Sequence, residues 1–360
     1  MEIEGAAKQS PHGGGKRQQL ARSCHRAGLL PLLQRVRAAR GDEVRVLAYH
    51  RVLDIGDGSR FEFDPALVSA TPERFRQQME LVRRRFRPVS STELIAALEG
   101  GRSLPRDAVI VTFDDGYDDN YRFAFPILRE LGVPATFFVS TGHIDSGLPY
   151  AYDWLVHMVC VATATKLDVP EVDLQVALPA TLAQRQALAA DLLDRMKWLD
   201  DAAQDAIITR LERDWSVPRT PHPDCRPMSW EQLREMQAAG MDIGSHGVNH
   251  RMLARLPRAA MADEVRGSKQ ALDRELGVVG RTLSYPVGGP NAYSEDVIAS
   301  VRDNDFRVAF NYISGSNPLP VSDRFAMRRL PVEYDTDIGW FAGIVTWPEL
   351  FSHPTRLRIG

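Results

Sequence analysis

Along most of the chain, short apolar runs alternate with stretches in which hydrophobic positions recur every three or four residues. The runs at 44–50, 109–113 and 135–139 are continuous and rich in β-branched and aromatic residues, the pattern of strands buried on both faces. Between them lie helical patterns. Thr71-Pro72-Glu73 provides a cap followed by proline at the first helical position, predicting a helix to about Phe86. A second short helix is expected over 92–98. A third is expected over 121–131, closed by Gly132, with Pro126 as a kink or as its first turn. Strand and helix alternating in this way predict a parallel α/β sheet or barrel.

The alternation breaks between about 147 and 227. Residues 182–213 read as helical, with Leu188, Leu192, Met196 and Leu199 at three-to-four spacing. We read this stretch as a helical insertion that returns to the barrel through Pro218, Pro221, Pro223 and Pro227. Barrel-like order then resumes. Ser229 caps a helix ended by Gly240, 241–244 is a short strand, and an exposed helix follows over 257–276. Next come a strand ending at Ser284-Tyr285-Pro286, a helix over 294–303, a strand at 308–310 and the Leu330-Pro331-Val332 segment. The expected organisation is a basic, flexible tail over 1–42, a barrel over 43–345 and a C-terminal tail over 346–360.

Composition adds little to this picture except at the N-terminus. Of 360 residues, 44% are hydrophobic and 25% charged, ordinary for a large-cored globular protein; the net charge of −3 argues neither for nor against an acidic partner, and no nucleic-acid partner is expected. Residues 1–40 differ. Eight Lys and Arg stand against Glu2 and Glu4, so the tail, with one short amphipathic helix around 29–36, is a candidate for peripheral contact with a membrane. Three widely spaced cysteines, Cys24, Cys160 and Cys225, make neither a disulfide framework nor a zinc motif and suit a reducing compartment. With no signal-like or membrane-spanning segment, the expected location is the cytoplasm, including its inner membrane face.

The chemistry-bearing residues cluster at two places. The strand at 109–113 ends in Asp114-Asp115-Gly116. About 130 residues later, Ser245-His246-Gly247-Val248-Asn249-His250 sets two imidazoles four residues apart, which would share a face on one turn of helix. One aspartate with two histidines makes a His/His/carboxylate set that leaves metal positions open, and the other aspartate is then free as a base. The pattern predicts a metal-assisted hydrolase.

Thr112-Phe113-Asp114-Asp115-Gly116, Ala135-Thr136-Phe137-Phe138-Val139, the 245–250 motif and Ser284-Tyr285-Pro286-Val287-Gly288 occur in an order that resembles the polysaccharide deacetylases of the NodB-homology group (carbohydrate esterase family 4). The resemblance spans about 44–335 and implies a distorted (β/α) barrel with fewer than eight repeats. It also implies a divalent metal, most often zinc, with Ni2+, Co2+ or Fe2+ as alternatives. By position, Asp115, His246 and His250 would hold the metal, and Asp114 would be the base towards the water that the metal activates.

The chain departs from the family pattern twice. Aligned on Pro286, the usual Arg-x-Pro-Tyr motif has Ser284 in place of Arg and Val287 in place of Tyr. The Val287 backbone N–H can still serve an oxyanion, and Arg329 is the candidate for the displaced arginine. A late Leu-x-His motif is missing, and His353 lies close to the C-terminus. Leu47-Ala48-Tyr49-His50 instead resembles the Tyr-His motif of a biofilm-polysaccharide branch, which implies His50 as the general acid. Tyr285, Asn291 and Trp154 are candidates to border the substrate.

The activity so implied is removal of an N-acetyl group from an N-acetylhexosamine in a glycan or in a nucleotide- or lipid-linked precursor. The alternatives are an amide or formyl deacylase acting on a non-sugar substrate, and a non-catalytic carbohydrate-binding barrel.

Overall fold

The computed structural model describes residues 15–277 and 280–353. Seven strands pair in parallel: β1 (Glu43–Tyr49), β2 (Ala108–Phe113), β3 (Ala135–Val139), β4 (Asp242–Ser245), β5 (Thr282–Ser284), β6 (Val308–Ser314) and β7 (Met327–Pro331). The order is β1-β7-β6-β5-β4-β3-β2, and β2 pairs back onto β1 in unbroken register from Val44 opposite Ala108 to Tyr49 opposite Phe113. The sheet is therefore a closed barrel of seven strands, as the resemblance implies. Closure explains the apolar runs: every residue of β2 and β3 is buried, one face towards the lumen and the other under helices.

Local signals set the helix ends. Thr71 Oγ1 accepts the Arg74 N–H at 3.2 Å and opens helix Pro72–Arg85. Ser229 and Gln232 cap each other's backbone groups at the start of helix Trp230–Ala238. The stretch read as one helix over 121–131 divides in two. A π-helical turn at Asn120–Ala124 precedes α-helix Phe125–Leu131, so Pro126 falls in an α-helical first turn, where its missing N–H costs nothing. Helix Arg258–Leu276 is not simply exposed; Met261, Val265 and Leu272 are buried along one face.

The insertion has more structure than the helical periodicity indicates. It contains helix Ala151–Val161, an antiparallel hairpin of Lys166–Val169 with Leu174–Ala177, and two helices, Leu182–Met196 and Asp201–Trp215. Leu192, Met196, Ile207 and Leu211 join Trp154, Leu155 and Met158 in an apolar cluster that also takes in Phe61, Phe63, Val68 and Tyr117 from outside the insertion. Cys24, Cys160 and Cys225 are free thiols.

The N-terminal segment departs most from expectation. Residues 1–14 lie outside the described residues, but 16–38 do not form a flexible tail. They fold into α1 (Lys16–Arg26) and α2 (Leu30–Ala38), which pack on α3 (Ile338–Thr346). Ala21 is fully buried against Gly343, where an added Cβ would lie 2.6 Å from the Ala21 Cβ. Ion pairs draw part of the basic charge inward, Arg22 to Asp337 and Arg37 to Glu43 and Glu349. The C-terminal tail is likewise anchored, with Phe351 of the short helix Pro348–Phe351 buried; residues 354–360 are outside the described ones. Among the described residues, no helix is long and apolar enough to cross a membrane.

This packing makes a prediction. Gly343→Leu should force α1 off α3, lowering stability by about 1–3 kcal/mol in urea unfolding and opening the Arg26–Gly28 region to limited proteolysis. Wild-type stability with α1 still protected would refute the docking.

Candidate active site

The C-terminal ends of the strands carry the site, as in other α/β barrels. Asp114 follows the last residue of β2, and its backbone N–H donates to the Tyr49 carbonyl at 3.0 Å. Adjacent residues on a strand point to opposite sides. Asp115 escapes that rule because its φ is +73°, which turns the chain so that both carboxylates reach one cleft. The Tyr150 hydroxyl holds the turn by donating to the Asp115 carbonyl at 2.8 Å.

The histidines do not share a helix turn as their spacing predicts. After β4 the chain makes a loop in which Gly247 has φ +77° and His250 φ +57°. Residues 246–250 are pinned from outside by Glu264, which is buried. Its carboxylate accepts the Val248 and Asn249 backbone N–H groups at 2.8 and 2.9 Å and the Asn249 side-chain amide at 2.7 Å. A Cβ on residue 247 would sit 2.9 Å from the same carboxylate, so the position requires glycine. The loop achieves what a helix would have done: the two imidazole centroids are 4.8 Å apart.

His246 Nε2 and His250 Nε2 lie 3.4 and 3.3 Å from Asp115 Oδ1. His246 Nδ1 is 2.7 Å from the Ser284 carbonyl, which can only accept, so Nδ1 carries a proton and, in the neutral ring, the Nε2 lone pair faces Asp115. Asp115 Oδ1 is buried and has no hydrogen-bond partner among the described residues. Lone pairs converging on a buried carboxylate oxygen call for a cation. Ligands at about 2.0–2.2 Å around a tetrahedral zinc-class ion stand roughly 3.4 Å apart, the separation found here. The residues present thus fit a divalent metal. Without one, burial opposes the charge on both groups, but the imidazoles hold the Asp115 carboxyl well below the usual range. Burial likewise depresses His246, yet Asp114 and Asp115 raise it overall.

Asp114 is paired differently. Arg329, fully buried on β7, donates Nη1 to Asp114 Oδ1 and Nη2 to Oδ2, both at 2.7 Å. The guanidinium also donates to Ser284 Oγ at 2.9 Å and through Nε to the Asn311 carbonyl at 2.7 Å. Ser284, which stands where the resembling family has an arginine, thereby receives a hydrogen bond from Arg329. Burial raises the Asp114 carboxyl, but the Arg329 charge outweighs it and holds the group ionised, below its ordinary value. Each carboxylate oxygen keeps a lone pair free of Arg329.

A cleft of about 160 Å³ joins these groups, lined by His50, Asp114, Asp115, His246, His250, Tyr285, Val287 and Arg329, together with Leu67, Tyr152 and Tyr312. His50, one residue past β1, has its ring 5.4 Å from that of Tyr312 and its backbone N–H bonded to Ser69 Oγ. Val287 is exposed at the rim with φ +65°, an uncommon conformation for a β-branched residue. Tyr285 contributes to the wall, but its hydroxyl is spent on the Phe325 carbonyl at 2.9 Å.

Two candidates fall elsewhere. Trp154 is buried in the apolar cluster between the insertion and the 61–68 segment, its indole N–H donating to the Val217 carbonyl, because the helix that carries it turns that face inward. Asn291 is exposed and is not among the residues lining the cleft. Sequence reasoning missed Tyr152, whose ring is 5.3 Å from that of His250, as well as Tyr312 and Glu264. Only Tyr152 left a trace, an aromatic pair with Tyr150 at the entrance to the insertion.

The pairing of Asp114 with Arg329 is testable by a double-mutant cycle. Arg329→Met alone should cost about 3–5 kcal/mol because it strands a buried charge, and Asp114→Leu should cost a similar amount. The double variant should recover much of that loss in urea unfolding. Simple additivity of the two losses would show that no such pair exists.

Known proteins share this design. The polysaccharide deacetylase family profile matches residues 101–309, more than half of the chain. The poly-beta-1,6-N-acetyl-D-glucosamine N-deacetylase of Escherichia coli K12 is 35% identical over 101 residues, which are 28% of this chain and 14% of that protein's length. Two solved structures have the same fold. IcaB from Ammonifex degensii has a TM-score of 0.54 at 21% identity, covering 87% of this chain and 98% of its own. The Streptococcus pyogenes deacetylase PplD, in complex with acetate, has a TM-score of 0.54 at 17% identity, covering 82% and 95%. With a seven-stranded barrel, paired aspartates after β2 and two histidines after β4, the chain belongs to the polysaccharide deacetylase family.

Proposed function

We propose that the protein is a metal-dependent hydrolase that removes N-acetyl groups from N-acetylhexosamine units of a glycan. The observation that carries this reading is the convergence in one cleft of the Asp115/His246/His250 donor set, an ionised Asp114 and His50. The name of the Escherichia coli relative supports a β-1,6-linked N-acetylglucosamine polymer as the first substrate to try.

In this reading Asp115, His246 and His250 hold the ion, zinc being the natural first choice for two imidazoles and one carboxylate. When bound, such an ion polarises a carbonyl and acidifies water. The chain's own residues supply the rest. Asp114, kept ionised and rigid by Arg329, takes a proton from the attacking water. The Val287 N–H, presented at the rim by its left-handed backbone, donates to the oxyanion that forms on the acetyl carbon. His50 faces the same cleft from β1 and gives a proton to the departing amine, so that amine and acetate leave in stable forms.

The N-terminal helices belong to the proposal in a second way. Leu20, Leu29, Leu32 and Val36 are exposed on α1, α2 and their junction, beside exposed Lys16, Arg26 and Arg35. That is the composition of a segment resting on an anionic bilayer, which suits a lipid-linked or membrane-proximal glycan and an enzyme working at a membrane face.

Acetate release from poly-β-1,6-N-acetylglucosamine oligomers should be seen with zinc-loaded protein and disappear on chelation or in Asp114→Asn. His50→Ala should slow it by about 10²–10⁴-fold with metal content unchanged. Full activity in His50→Ala would remove that residue from the chemistry, and activity untouched by chelation would remove the metal. For the bilayer contact, co-sedimentation with phosphatidylserine vesicles should drop in Leu29→Asp/Leu32→Asp; equal binding would discard it.

A further inference from the structure

A second cluster of metal-type donors lies in the insertion. His157 on helix Ala151–Val161, His222 in the chain leaving the insertion, and Glu62 in the segment after β1 each present one donor atom, all within 4.8 Å of one another. None of the three lines the active-site cleft.

The arrangement is more than proximity. The His157 side chain is only 9% exposed, and its Nδ1 is buried with no hydrogen-bond partner among the described residues. Glu62 Oε2 lies 3.4 Å from that nitrogen, too long for a good hydrogen bond. It is instead the separation of two ligands on a tetrahedral ion, and it matches the 3.3–3.4 Å between Asp115 and its imidazoles. The rings are held for the purpose. His157 lies between Trp154, at 4.5 Å between centroids, and Phe63, on which it stacks at 5.1 Å and 15°. Phe63 also meets the His222 ring edge-on at 4.9 Å, which sets the two imidazoles 5.1 Å apart. Buried and unpartnered, with a carboxylate oxygen at ligand-to-ligand distance, His157 Nδ1 has the surroundings of a metal donor.

One interaction opposes binding. His222 Nδ1 accepts the Asp224 N–H at 3.2 Å. If Nδ1 takes the metal, that contact is lost directly; if Nε2 does, the ring proton moves to Nδ1 and the contact is lost as well. Either way the loss is one long, exposed hydrogen bond, small beside the capture of an ion by three ligands.

We propose that Glu62, His157 and His222 form a structural site for a zinc-class divalent ion, separate from the active centre, with water as fourth ligand. The ion would tie three pieces of chain that no barrel strand joins: the first helix of the insertion, its return segment, and the 53–67 segment, whose Leu67 lines the cleft. Bound there, it fixes one wall of the substrate cleft to the insertion.

The test uses the full chain, stripped with chelator, titrated with zinc ion alone and analysed for metal after desalting. Wild type should retain two equivalents. His222→Ala should retain one, as should Glu62→Gln, a conservative change at a half-exposed side chain, each with unchanged far-ultraviolet circular dichroism. His246→Ala should retain the other one, and zinc should still raise its Tm; that rise should vanish in His246→Ala/His222→Ala. Cobalt in His246→Ala should show the intense visible absorption of a four-coordinate ion. The assignment is overturned if His222→Ala and Glu62→Gln bind as much zinc as wild type, or if His246→Ala binds none. Failure of the active-centre reading appears separately, as a zinc content that His246→Ala leaves at the wild-type value while His222→Ala still lowers it by one equivalent.

Discussion

A carboxylate almost wholly withdrawn from solvent must be neutralised where it stands, and Asp114, at the floor of the cleft, is such a group. Its neutraliser comes from β7, at the far end of the chain from β2, and only β1 lies between those strands in the barrel. The guanidinium can reach Asp114 only when β1 has paired on both sides, with β2 and with β7. Barrel closure and the charging of the site are therefore one event. An open barrel leaves two buried-type charges unpaired, and a closed one holds the base at a fixed angle to the donor set of Asp115, His246 and His250. Ser284 follows from the same constraint: a small polar side chain beside Asp114 accommodates a guanidinium from another strand and accepts a hydrogen bond from it.

The backbone around the site is under a second constraint. Asp115, His250 and Val287 are three of the seven non-glycine residues with positive φ among the described residues. Each such residue costs of order 1–3 kcal/mol when the surroundings impose it. Two of the three are metal-type donors and the third presents a backbone N–H at the cleft. Glu264 and the Tyr150 hydroxyl supply the hydrogen bonds that hold the first two in place. The barrel supplies strand ends, and strained turns convert those ends into a convergent set.

Much of this was legible in the sequence, and what was not has identifiable causes. The buried strands announce themselves because closure buries both faces of β2 and β3, so their residues are apolar without alternation. Asp114, Asp115, His246 and His250 are legible as a donor set because few other arrangements put those residue types at strand ends. The helix expected at 246–250 was wrong because i,i+4 spacing says nothing of backbone conformation, and Gly247 with Glu264 favours a loop. Trp154 was misplaced because an aromatic residue beside a cleft and one inside a neighbouring core look alike in sequence. The N-terminal helices read as a tail because what orders them, α3 and Asp337, lies more than 300 residues away. Arg329 was found only through a gap elsewhere, the serine at 284.

The docking of residues 16–49 against 327–353 bears on how the chain folds. The β1–β7 ladder and the α1–α3 contact join segments separated by most of the barrel's sequence. Until β7 emerges, β1 has one unpaired edge, and Arg45, fully buried in the finished protein, has not reached its final surroundings. Contacts of such sequence separation are slow to form and leave strand edges open to wrong partners meanwhile. α1 and α2 precede β1 in the chain and cannot dock until α3 exists. Docking of the N-terminal helices and closure of the barrel therefore wait on the same late segment, and until it arrives a nearly complete barrel stands open at one seam.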